Sequence, residues 1–115
     1  MTTDTPTAPR DTAPLIYASS LAIDVATMKL VPEADTIANE TRVVLERIER
    51  QLAAQGASLA DVVKTTCYLS NEAHRAEFVA AYDEAFAPGP YPVNLTIVLG
   101  LAGNCRVQIE VVAAR

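Results

Sequence analysis

Few side chains in this sequence combine catalytic chemistry with a setting that suits it. Glu110 stands in the segment VQIEVVA, beside Ile109, Val111 and Val112. A carboxylate is costly to bury among apolar groups without a purpose. Glu110 is therefore the first candidate functional residue. The alternative is an isolated acid that is solvated or paired with Arg106, which is predicted to lie on the same face of the strand as Glu110.

The two cysteines and the single histidine are weaker candidates. Cys67 lies in a β-branched and aromatic segment and is predicted to be a small buried residue. Cys105 is expected to be more exposed, with no neighbouring base in sequence to activate its thiol. Their separation fits neither a zinc ribbon nor a C-x-x-C motif. His74 is expected to face solvent and has no partner at ligand spacing, so no metal site is predicted.

Composition narrows the class of protein. The 115 residues carry a net charge of −5, half of them are apolar, and no apolar run approaches the ~20 residues of a membrane helix. A single domain is expected, with no membrane partner. The acidic charge argues against nucleic-acid binding. The N-terminus does not resemble a secretory signal, so we expect a cytoplasmic protein.

The segment SLADVVKTTCYLS lies at the centre of the predicted fold. Ser58 and Asp61 have an imperfect capping-box spacing, and 62–69 then reads as a strand. Helical patterns precede and follow it. We therefore expect a central strand with both helices covering one face of its sheet.

The remaining elements follow from periodicity and turn residues. Residues 1–14, rich in Thr and Pro, are predicted to form a disordered leader, and 15–115 a single domain. Gly56 is expected to end the first helix in a left-handed conformation. The predicted elements are a strand at 15–24, a short edge strand at 28–31, a helix at 35–55, a helix at 71–86, and strands at 94–99 and 106–114. This βαβαββ order predicts an α+β fold with two helices on one face of a mixed sheet.

Two apolar stripes and one uncovered surface follow from this arrangement. The predicted stripe of the first helix is Ile37, Thr41, Val44, Leu45, Ile48 and Leu52, and that of the second helix is Phe78, Tyr82, Ala85 and Phe86. In the first helix Glu40, Arg47, Glu49 and Arg50 fall off the apolar stripe and are interpreted as a solvated face. The second sheet face still carries apolar residues, for example Tyr17. Since no third helix remains to cover that face, the cover is expected to come from other subunits.

The segment LADVVKTTCYL resembles the signature of the RidA family, also called YjgF or endoribonuclease L-PSP. The resemblance extends from about Leu15 to Ala113. It implies a chorismate-mutase-like fold and a homotrimer with a central barrel, outer helices and clefts between subunits. It also implies hydrolysis of enamines and imines of 2-keto acids, without cofactor or metal.

The resemblance implies roles for particular residues. Glu110 matches the glutamate that helps to position the attacking water in the family. The family's carboxylate-binding arginine lies in a P-A-R-S-type segment, which here reads YPVNLTIV, and the resemblance is taken to place Val93 at the arginine position. Ser20 stands where a glycine is usual, and Val79 where many members have a cleft asparagine. The candidate ligand-binding residues are Tyr17, Ser19, Ser20, Tyr91, Val93, Asn94, Thr96 and Arg106.

Two functions remain open at this point. The first is an atypical RidA-like enzyme acting on a small imine, enamine or related reactive carbonyl compound, with Glu110 as general base or water-orienting group. Without the arginine, the cleft is expected to be less cationic and to show little activity on small 2-imino acids. The second is a non-catalytic trimer that binds a metabolite or a protein in the same clefts. A ribonuclease is disfavoured by the acidic charge.

Overall fold

The structure is a computed structural model that describes residues 14 to 115. The predicted leader, apart from Pro14, lies outside the described residues. None of the described helices is long and apolar enough to cross a bilayer. The elements are β1 Leu15–Leu21, β2 Ile23–Asp24, β3 Lys29–Leu30, α1 Ile37–Ala53, β4 Val62–Leu69, α2 Arg75–Phe86, β5 Val93–Val98 and β6 Val107–Ala114.

Four strands form one mixed sheet in the order β1-β6-β4-β5. Strands β4 and β5 are parallel, whereas β6 runs antiparallel to both β1 and β4. Helix α1 contacts β1, β6 and α2. The predicted α+β fold, with its central strand at Val62–Leu69, is confirmed.

The predicted first strand is interrupted after Leu21. A separate two-stranded hairpin, β2 with β3, follows the break. The guanidinium of Arg47 donates to the carbonyl oxygens of Leu21 and Ile23, at 2.8 and 2.9 Å. Arg47 was predicted to face solvent, but it satisfies the backbone where the chain leaves the sheet.

The ends of the helices follow local sequence signals. Thr36 caps α1 through its hydroxyl, which accepts from the Asn39 amide. Gly56 follows α1 with φ +79°, as predicted. Asn71 caps a short 3₁₀ turn that leads into α2.

The apolar faces of both helices pack into one core. All six residues of the predicted α1 stripe are buried. In α2, Phe78, Tyr82 and Phe86 are buried as predicted, but Ala81 takes the inward place expected for Ala85. The rings of Tyr82 and Phe86, tilted by 40° to each other with centroids 4.7 Å apart, close this side of the core.

Glu40 is fully buried, which corrects its assignment to the solvated face. Its carboxylate accepts from the backbone amides of Arg106 and Val107, at 2.7 and 2.9 Å, and from Nε of Arg106 at 2.7 Å. The same guanidinium donates to the carbonyl oxygen of Ala34. Because these bonds satisfy the charge, Glu40 can lie in the core and join α1 to the start of β6.

We expect Glu40→Gln to lower the free energy of unfolding by about 3 kcal/mol, because it leaves the half-buried guanidinium of Arg106 without its counter-charge. The matched control is Glu46→Gln, which removes an exposed pair with Arg50 and should change stability by less than about 0.5 kcal/mol. Urea denaturation of both variants measures the difference. Equal losses would show that burial of the Glu40 pair does not matter.

Candidate functional site

One face of the sheet is not covered by the helices, and we call it the open face. In β6, Val107, Ile109, Val111 and Ala113 are buried against the helices, so the alternate residues point the other way. Strand register then aligns the open-face residues in three rows across the sheet. In the order β1, β6, β4, β5 the rows are Tyr17, Val112, Lys64, Val93; Ser19, Glu110, Thr66, Leu95; and Leu21, Gln108, Tyr68, Ile97.

Glu110 occupies the middle row, between Ser19 of β1 and Thr66 of β4. Its side chain is exposed. The hydroxyl of Tyr68, one row away, donates to Oε1 of Glu110 at 3.0 Å. This bond to the carboxylate raises the pKa of Tyr68, so Tyr68 stays protonated as a donor. The arrangement presents an oriented carboxylate on the open face.

A cavity of about 510 Å³ lies beside Glu110, within the size range of small-molecule sites. Glu110 also borders a smaller cavity of about 230 Å³, formed with Tyr68 and the loop after β5. The larger cavity is lined by Tyr17, Ala18, Ser19, Gln51, Lys64, Thr66, Glu110, Val111 and Val112.

The outer edge of β1 is occupied by glutamine side chains from α1. Gln51 accepts from the Ser19 amide at 3.1 Å and donates to the Ser19 carbonyl oxygen at 2.8 Å. Gln55 donates to the carbonyl oxygen of Tyr17. The backbone of β1 beside the cavity is therefore already hydrogen-bonded, and a ligand would meet the Ser19 side chain first.

Neither thiol has the surroundings of a nucleophile. Cys67 is buried, as predicted, and burial raises its pKa to about 12. Cys105 is also buried, which contradicts its predicted exposure, and burial raises its pKa. Within residues 14 to 115, no cluster of His, Cys, Asp and Glu could hold a metal ion.

Comparison with known proteins identifies the family. The family model described as Endoribonuclease L-PSP matches residues 9–115. The chain belongs to the RidA/YjgF family. It is 34% identical over 100 residues to a RutC family protein of Pyrococcus horikoshii, covering 86% of this chain and 77% of that protein. It is 31% identical to Reactive Intermediate Deaminase A of Arabidopsis thaliana over 104 residues, 85% of this chain and 55% of that protein.

Solved structures show the same fold. A Rid family protein of unknown function from Yersinia pestis superposes with a TM-score of 0.76 at 28% identity, covering 88% of this chain and 80% of the other. RidA from a Psychrobacter species gives 0.74 at 27% identity, with coverages of 88% and 80%. The predicted resemblance to RidA is thus confirmed for the family and the fold.

Three of the predicted site residues lie together on the open face. Tyr17, Ser19 and Glu110 all line the larger cavity. Val93 is on the same face at the far edge strand, directly beside Lys64 and 71% exposed.

The prediction that Val93 matches the RidA arginine is off by one residue. Aligned on Pro92, the P-A-R-S segment places its arginine at Asn94, one residue after our assignment. Neither side chain is cationic, so this chain lacks the guanidinium at either position.

Three other predicted residues point to the helix side of the sheet in this subunit. Ser20 pairs with the buried Ile109 and bonds to the backbone of Leu21. Asn94 accepts from Oγ1 of Thr65 at 2.8 Å and donates to Thr96 at 3.1 Å. Ser20, Asn94 and Thr96 therefore do not meet Glu110 within one subunit.

Arg106 and Tyr91 are also separate from the cavity. Arg106 was expected to share the face of Glu110, but Glu40 and Ala34 hold its guanidinium beside α1. Tyr91 lies in the loop before β5, with its ring against Gly89.

Sequence reasoning missed four residues at the site, namely Gln51, Lys64, Thr66 and Tyr68. The last three alternate along β4, so their common face was visible in the sequence. Which face that was depends on the pairing of β4 with β6. Lys64 is the important addition, because it places a cation beside the cavity that was expected to be less cationic.

The burial of Cys67 predicts an alkaline limit to stability. Its pKa is about 12 in the folded protein against an ordinary value of 9.0, so the folded state holds this proton more tightly. The stabilisation is complete below about pH 9 and is lost toward pH 12, by up to about 1.4 kcal/mol per pH unit. Urea denaturation between pH 8.5 and 11 measures the slope. Cys67→Val removes the titrating thiol and should make the slope shallower, whereas an unchanged slope would contradict this assignment.

Proposed function

We propose that this RidA family member hydrolyses a small imine, enamine or related reactive carbonyl compound, with Glu110 activating or orienting the water. The observation that carries the proposal is Glu110 on the open face, beside a ligand-sized cavity and held by Tyr68 at 3.0 Å. The name of the Arabidopsis relative, a reactive intermediate deaminase, supports the same reaction class.

The proposed reaction needs only a base and water. As the water oxygen attacks the imine carbon, Glu110 accepts one water proton, and the C=N electron pair moves to nitrogen, which takes a proton from solvent. The nitrogen of the resulting carbinolamine then takes the proton held by Glu110, and its hydroxyl loses a proton to solvent. The C–N bond breaks, ammonia leaves and the carbonyl forms. Water is consumed, and Glu110 returns its proton during this second half.

Tyr68 is a positioning residue in this scheme. Its hydroxyl binds Oε1 of Glu110, so Oε2 is the oxygen left to face a water. Ser19 and Thr66, which flank Glu110 in its row, supply hydroxyl groups near the reacting atoms.

The proposal includes a homotrimer with the clefts at its subunit boundaries. Apolar side chains on β5 and after it are strongly exposed in the single chain, with Leu95 at 53% and Leu99 at 44%. Burial of such a surface favours association. The number of subunits rests on the resemblance to RidA proteins.

The alternative is a non-catalytic trimer that binds a metabolite or a protein partner in the same cavity. It is favoured by the uncharged residues in the segment that matches P-A-R-S. A protein that only binds would need the shape and polarity of the cavity but not a base.

Glu110→Gln separates the two functions. An enzyme should lose at least about 100-fold in kcat, because general-base catalysis is typically worth that much, and should keep its fold by circular dichroism. Tyr68→Phe, the matched positioning variant, should lose less kcat, because Glu110 keeps its carboxylate and loses only the hydroxyl that orients it. The assay follows carbonyl product from a panel of imines generated in situ, including 2-iminobutyrate. Loss of only some affinity in Glu110→Gln, without any turnover in the wild type, would favour the binder.

We expect static light scattering at micromolar concentration to give three times the chain mass. Leu95→Glu should reduce the mass, because it places a charge among the exposed apolar side chains of β5, whereas Glu84→Lys on the exposed surface of α2 should not. A stable wild-type monomer would contradict the shared clefts.

A further inference from the structure

Lys64 lies beside Glu110 in a position that the β4 pairing determines. It aligns with Val112 of β6, while Thr66, two residues later, aligns with Glu110. Lys64 is therefore a diagonal neighbour of Glu110 on the open face, with Cβ atoms roughly 7 Å apart. A β-bulge at Val63 lies directly before it, and bulges are common next to functional sites.

The ammonium of Lys64 has no carboxylate partner among residues 14 to 115. Four arginines of the described chain form ion pairs, but Lys64 does not. Its row is otherwise made of Tyr17, Val112 and Val93. The carboxylate of Glu110, its nearest acidic neighbour by register, is bonded to Tyr68 instead. Lys64 is the one cation lining the larger cavity in this part of the chain.

The spacing of Lys64 and Glu110 suits a substrate with a carboxylate beside its reacting carbon. A carboxylate bound to the ammonium lies about 2.8 Å from it, and the adjacent carbon is then within reach of a water held by Glu110. A neutral imine would leave the ammonium without a counter-charge. Lys64 lies on β4, which pairs directly with the strand of Glu110. Val93 lies beside Lys64 on β5, one strand further from Glu110.

We propose that Lys64 is the anion-binding residue of this site and selects imines that carry a carboxylate next to the imine carbon. The inference rests on the proposed function and revises the expectation of a less cationic cleft with little activity on small 2-imino acids. A lysine holds a carboxylate as a point charge and not through a planar fork. Its contribution is therefore mainly electrostatic and should weaken with salt.

The test compares Lys64→Met with Lys29→Met, which removes the same charge from the exposed strand β3. The probe is 2-oxobutyrate, the product expected from 2-iminobutyrate, and its neutral counterpart is 2-oxobutanamide. We expect Lys64→Met to weaken 2-oxobutyrate binding about tenfold or more by calorimetry, as loss of a charge-assisted hydrogen bond implies. Lys29→Met should bind like the wild type, Lys64→Arg should restore most of the affinity, and 2-oxobutanamide should bind all variants alike.

Kinetics with 2-iminobutyrate separate the two proposals. Turnover that depends on Glu110 but is equal in Lys64→Met and Lys29→Met would overturn the role of Lys64 and leave the hydrolase proposal standing. Binding of 2-oxobutyrate that depends on Lys64, without turnover of any imine, would support the anion site and overturn hydrolysis. Failure of the wild type to bind 2-oxobutyrate would overturn the inference about Lys64.

Discussion

The buried carboxylate of Glu40 is the contact on which the position of β6 depends. It accepts two consecutive backbone amides at the start of that strand and the guanidinium of Arg106. A charge in the core is tolerated only with such partners, so α1 and β6 have little freedom to slide past one another. Glu110 lies four residues further along the same strand. Its place on the open face follows from this anchor and from the two-residue period of a strand.

The two faces of the sheet differ in how their polar side chains are hydrogen-bonded. The helix side holds the apolar core and a chain of hydroxyl and amide groups, in which Thr65 donates to Asn94. Since that hydrogen atom is used, Tyr82 must donate to Thr65 across their 2.7 Å contact. The open face holds the groups with unused capacity, namely Glu110, Lys64, Thr66 and Ser19. Polar groups satisfied within the fold stabilise it, whereas those left free are available to a ligand.

Membership of the RidA family does not carry the family's chemistry to this chain residue by residue. The glutamate of the last strand is present, and the segment that matches P-A-R-S is uncharged. The structure places a lysine on the neighbouring strand, beside Val93. A cation can reach the same ligand from either of two neighbouring strands, because adjacent strands of a sheet lie only about 4.8 Å apart. A missing side chain in one segment is therefore weak grounds for a missing charge in the site.

The sequence alone determined the helices, the strands and the family and made Glu110 the first candidate residue, because periodicity, capping residues and the central motif are local signals. It also showed that Lys64, Thr66 and Tyr68 share a face. Only the tertiary structure decided which face that was, since register depends on pairing between β4 and β6, whose paired residues are 38 to 51 positions apart in the sequence. The same long-range contacts buried Glu40 and Cys105, turned Ser20 and Asn94 toward the helices, and directed Arg106 to Glu40. The helical and strand periods can be read from local sequence. Which face of each element is turned toward the core is set by packing against distant parts of the chain.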